Sequence, residues 1–176
     1  MLFTDRSILT MLHGIVLGGG ALLIMAAALY ALTTLPPGPG SPTNDRQARL
    51  LSRLLSLNAV LLWLTVLGGA YLVFPPYRAT PPEGVADLAA YPRAMLLAST
   101  DTAWLHAFAM ETKEHVPWIA AMLATAVAFV GVRERSTLLA DGPVRPMIRA
   151  VLVVCFGLVA YVSVLGVFVN KVAPLF

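Results

Sequence analysis

The chain has 176 residues, of which 59% are hydrophobic and only 12% charged, against about 25% charged in an ordinary soluble domain. With a mean hydropathy of +0.80 this excludes a soluble enzyme, and the net charge of +3 comes from arginines flanking apolar stretches, where they serve topology and lipid headgroups rather than nucleic acid. The lone cysteine, Cys155, rules out an intrachain disulfide.

A hydrocarbon core of about 30 Å is crossed by about 20 residues of helix, and four stretches meet that length. The first, 8–35, follows Arg6 and outruns the apolar region of a signal peptide, about 7–15 residues, so it reads as a retained helix. It ends at Leu35-Pro36-Pro37-Gly38-Pro39-Gly40, where proline removes backbone donors and glycine permits a turn. The second, 54–74, ends at Phe74-Pro75-Pro76-Tyr77-Arg78. After it, Tyr77 to Gly84 reads as extended or turn-like, and Leu88 to Leu97 as a short surface helix or a membrane-grazing segment; the loop could cover the end of a bundle or dock a partner. A helix over 101–115, capped by Ser99, Thr100 or Asp101, leads into the third stretch, 116–132. Asp141-Gly142-Pro143 then precedes the fourth, 148–172. The expected fold is all-α, a single transmembrane domain over 1–176, built as a four-helix bundle with a short extracytoplasmic helical segment between helices 2 and 3.

Basic residues set the expected orientation. Arg46, Arg49, Arg53, Arg133, Arg135, Arg145 and Arg149 lie between the first and second or third and fourth stretches; Arg6, Arg78, Arg93, Lys113 and Lys171 lie on the other side. The bias places both termini and the 75–115 loop outside the cytoplasm; the expected location is a bacterial inner membrane.

All three histidines, His13, His106 and His115, fall on that extracytoplasmic side. Counted at about 1.5 Å per residue, His13 and His115 reach nearly the same depth. His106 stands about 13 Å further out on a straight helix, unless Pro117 bends the chain back. Imidazoles matched in depth on different helices could share one centre: a b haem, with Gly14 and Gly18 allowing a flat ring to approach, or a divalent metal taken by His13, His106, His115, Glu111 and Glu114. Met110, four residues after His106, could be a soft ligand, though it is one methionine among seven. Lys171 lies at the depth to pair with Glu111, Glu114 or a haem propionate.

Plainer readings stand beside these. Trp104, Trp118, Tyr71, Tyr77 and Tyr91 suit an interfacial aromatic belt, glycines mediate helix packing in lipid, and Cys155 suits a packing role. Asn58 is a polar residue within the second stretch. No phosphate loop, dinucleotide fingerprint, cysteine pair or nucleophile elbow occurs.

The layout is similar to small four-helix membrane cytochromes of the b type, and Tyr77-Arg78 and Met110-Glu111-Thr112-Lys113-Glu114-His115 resemble phrases found in bacterial integral membrane proteins. The resemblance implies an electron-transfer subunit binding one haem b near the extracytoplasmic face. The inner halves of the helices lack histidine, so such a chain needs other membrane subunits, or a second copy, and an extracytoplasmic electron carrier or quinol. The alternatives are a non-catalytic structural or assembly subunit with no cofactor and, third, a metal-dependent membrane enzyme using Glu111, Glu114, His115 and His106; with so little mass outside the helices, catalysis by this chain alone is the least natural reading.

Overall fold

The computed structural model describes residues 4–36, 38, 42–139 and 142–174. Pro37, Pro39 and Gly40 of the first break and Asp141 of the last lie outside them. The described residues form helices and the connections between them and contain no strand. Four long helices are apolar enough to cross a membrane: α1 (Asp5–Thr34), α2 (Pro42–Tyr77), α4 (Thr100–Arg133) and α6 (Val144–Val172). Two short ones, α3 (Pro92–Leu97) and α5 (Arg135–Leu139), lie in the connections.

Local chemistry explains where the helices begin. Thr4 caps α1 by accepting from the Ser7 amide at 3.2 Å, while the Ser7 hydroxyl accepts from the Thr4 amide at 3.0 Å, a reciprocal arrangement that satisfies two otherwise orphaned donors. Of the three candidate caps, Ser99 is the one that caps α4, accepting from the Asp101 amide. α2 starts well before the apolar stretch at 54 because its first turns, with Arg46, Arg49 and Arg53, are helical yet charged. Hydropathy marks the part of a helix suited to lipid, not the whole helix. Pro117 lies inside α4, which runs on through it.

α2 packs against α1 and α4, and α6 against α4 and α1, so each long helix has two neighbours. The buried positions recur at helical spacing: Ala21, Met25, Ala28 and Leu32 on α1; Leu51, Leu55, Asn58, Leu62 and Val66 on α2; Ile148, Leu152, Cys155, Val159 and Val162 on α6. α4 contributes Ala120, Ala121, Ala124, Ala128 and Gly131. The outward faces carry Leu23, Tyr30, Phe129 and Val167, side chains at home in lipid. Between helices in lipid there is little hydrophobic driving force, and close van der Waals packing must hold them. Small residues make that packing close. A Cβ placed on Gly131 would meet Leu55 Cδ1 at 2.6 Å, and the same approach lets the buried Ser52 hydroxyl donate to the Gly131 carbonyl.

One guanidinium joins the connections at this end. Arg145 Nη1 donates to the Leu35 carbonyl at 2.9 Å, Nη2 to that of Pro36 at 2.9 Å, and Nε to that of Leu138. The end of α1, the start of α6 and α5 are thereby tied together, beside a bond from the Gly38 amide to the Leu139 carbonyl. Hydrogen bonds to a charged donor are worth about 1.5–3 kcal/mol each. Arg145→Ala is expected to lower the thermal midpoint in detergent, with Arg145→Lys recovering only part of the loss because an ammonium lacks the planar fork; equal midpoints for all three proteins would refute this role.

Candidate functional site

The end of the bundle opposite Arg145 departs from regular α-helix in three places. α1 is π-helical over Leu12–Gly19, α2 over Gly69–Val73 and α4 over Leu105–Met110. Such segments are rare and occur often at functional sites. Here the first carries His13, the second begins at the glycine against which His13 lies, and the third carries His106.

His13 points toward α2. A Cβ on Gly69 would come within 2.7 Å of His13 Cε1 and 3.3 Å of Nε2, so the imidazole occupies the space any larger residue would need. Its Nδ1 is buried and makes no hydrogen bond. Lys113, on α4, lies within Coulombic reach, but its ammonium is turned toward α6, where Nζ approaches the Val162 carbonyl at 3.4 Å. A second glycine makes room there, since a Cβ on Gly166 would lie 2.6 Å from Lys113 Nζ. Two long polar side chains thus enter the bundle, each through a niche in the neighbouring helix.

His106 is held differently. Arg93 Nε donates to His106 Nε2 at 3.3 Å; because the arginine nitrogen can only donate, Nε2 must bear the lone pair. The proton of the neutral ring then resides on Nδ1, which donates to the Tyr77 hydroxyl oxygen at 2.8 Å. Both ring nitrogens are engaged, and none remains for a metal. Tyr77 stacks on Phe74 with centroids 5.9 Å apart, and Arg78 lies over the Phe74 ring. Below this group a small second core of Tyr77, Leu96, Leu105, Ala109, Met110 and Leu165 closes the end of the bundle, bringing α3 and the start of α4 onto α6. Met110, expected as a soft donor, is part of that core.

His115 stands on the exposed face of α4, as does Glu111. Its Nδ1 lies 2.7 Å from the Glu111 carbonyl oxygen. A carbonyl only accepts, so Nδ1 carries the proton and Nε2 is left with its lone pair outward. The helical stripe around it holds Trp104, Phe108, Ile119 and Met122, all exposed.

The five expected ligands are therefore dispersed. His13 is enclosed against α2, His106 is bound to Tyr77 and Arg93, Glu114 is half-buried on α4, and His115 with Glu111 faces away from the bundle. Among the described residues no three His, Cys, Asp or Glu side chains gather as a metal site. Gly14 has open space where a Cβ would go, and Gly18 packs near Thr65 and the His13 carbonyl. Gly69, Gly166, Lys113, Tyr77 and Arg93 are the residues that composition and spacing did not single out. In the sequence Lys113 and Arg93 counted only toward orientation and Tyr77 toward an interfacial belt, and Lys113 and Tyr77 also lie in the two phrases that carry the resemblance. No protein-family model, curated protein or solved structure matches the chain.

The Gly69 niche makes a specific energetic claim. Overpacking a well-filled site costs about 1–3 kcal/mol, so Gly69→Ala is expected to destabilise the protein by that amount and to cost much less in a His13→Ala background. Denaturation of the two single variants and the double variant measures the coupling; additive effects would show that the ring and the glycine do not share this space.

Proposed function

We propose that the chain is a subunit of a larger membrane redox complex in which His115 supplies one axial ligand to a b haem held against the exposed face of α4 by a partner chain. In this reading the outer end of the bundle and both termini lie on the extracytoplasmic side of a bacterial inner membrane, and the redox partner is a quinol or an extracytoplasmic electron carrier.

The state of the His115 ring carries the reading. Metal-ligating histidines almost always donate their second nitrogen to a carbonyl or carboxylate, which fixes the tautomer and aims the free lone pair. His115 has that arrangement with the Glu111 carbonyl, and it stands on an apolar surface of the kind that the rim of a haem requires. The residues fit one ligand of a haem and not two. A ring clamped inside the bundle between His13 and His115 is not what this geometry favours, since His13 is already seated on Gly69 and His115 faces out. When bound, such a haem would supply one-electron transfer; the chain's own part is to orient the imidazole and to present the stripe.

A second reading, a non-catalytic structural or assembly subunit, draws on the same exposed stripe without a cofactor. Large apolar faces interrupted by Glu111 and His115 suit a protein neighbour, because ionisable groups on a purely lipid-facing surface are unfavourable. The metal-enzyme reading has less behind it, because its four residues are not gathered.

The complex purified in mild detergent separates the two. The first reading expects the reduced-minus-oxidised bands of a low-spin b haem, lost in His115→Ala and kept in His106→Ala, which would instead lower stability by weakening the Tyr77 contact. A complex that is colourless but intact would sink it in favour of the structural role.

A further inference from the structure

The opposite end of the bundle holds a second constellation that the histidine site does not use. Arg49, Ser52, Arg53 and Ser56 stand at positions i, i+3, i+4 and i+7 of α2, and so share a face. With Val132 and Arg135 they line an open pocket of about 330 Å³. Like charges four residues apart on a helix repel one another, and Arg49 and Arg53 have that spacing while Arg135 adds a third guanidinium from α5.

The neighbouring acceptors have partners of their own. The Val130 carbonyl accepts from the Glu134 amide at 2.9 Å, and the Gly131 carbonyl accepts from the Ser52 hydroxyl. The Glu134 carboxylate, next to Arg135 in sequence, takes the Thr137 hydroxyl. Arg135 Nε remains buried with no hydrogen-bond partner. A buried donor left unmade costs about 1–3 kcal/mol, and more when it is charged. Three cations around one concavity are chemically complementary to a multivalent oxyanion, which guanidinium groups bind through paired, charge-assisted hydrogen bonds.

We propose that Arg49, Arg53 and Arg135 form a binding site for a phosphate group, with Ser56 at its edge. Basic pockets between membrane helices take phospholipid headgroups in this way. An acidic phospholipid and free phosphate share the recognised group, and they differ in whether acyl chains run down the apolar outer face beside Val132.

The test uses the intact protein in neutral detergent, with thermal midpoints recorded against added phosphatidylglycerol, phosphatidylcholine and inorganic phosphate, and native mass spectrometry for retained lipid. A rise with phosphatidylglycerol and a retained lipid of that class are expected, with little response to phosphatidylcholine. Each arginine near an anionic headgroup is worth about 1 kcal/mol, so Arg53→Gln and Arg135→Gln should each weaken the response about fivefold, while Arg78→Gln at the other end leaves it unchanged. Saturation by inorganic phosphate, with no further effect of lipid, would support the site with free phosphate as its ligand. Equal responses to the two lipids with none to phosphate, or variants that bind as the parent does, would overturn the proposal even if they fold normally.

Discussion

Close approach of helices through missing side chains is the constraint on which the rest of this structure depends. Gly131 admits Leu55, Gly69 admits the His13 ring, and Gly166 admits the Lys113 ammonium. In lipid, apolar area alone does little to bring two helices together, so contact distance decides the packing. The alanines of α4 serve the same end, letting α2 and α6 lie close on either side of it. Each glycine is also selective about its occupant, because a ring, a branched aliphatic tip and an ammonium fill different volumes.

That packing has an electrostatic consequence. Hydrocarbon offers no water to satisfy a polar group, so each one must find a partner in the chain or be turned outward. Ser52 finds the Gly131 carbonyl, Lys113 approaches that of Val162, and His106 is bracketed by Arg93 and Tyr77. His13 Nδ1, Asn58 Oδ1 and Arg135 Nε do not. The two ends of the molecule therefore differ in kind: one concentrates imidazoles around π-helical turns, the other gathers guanidinium groups around carbonyls and an open pocket. His115 stands apart from both, with its lone pair outward on the exposed face of α4.

Much of the plan was legible in the residues. The four apolar stretches, a helix start capped within Ser99–Asp101 and a short helix before α4 followed from hydropathy and capping chemistry. The start of α2 was not, since charged turns that extend a helix beyond lipid carry no hydropathy signal. Among the candidate residues, depth along each helix was countable at a fixed rise per residue, but azimuth was not: His13 and His115 were read as a pair by height, and the structure turns one toward α2 and the other away from the bundle. Gly69 and Gly166 looked like any small residues in a membrane helix until His13 and Lys113 were found seated on them.

By itself, the sequence determined what is additive along the chain: four helices apolar enough for a membrane, the places where they break, and the clustering of histidines toward one end and arginines toward the other. Tertiary structure alone decided which histidine has a free lone pair, which lysine turns inward, and that Arg49, Arg53 and Arg135 surround one pocket. Those outcomes depend on which residue of another helix lies opposite, at separations of a few ångströms, and a hydrogen-bond partner of that kind leaves no trace in local composition or periodicity.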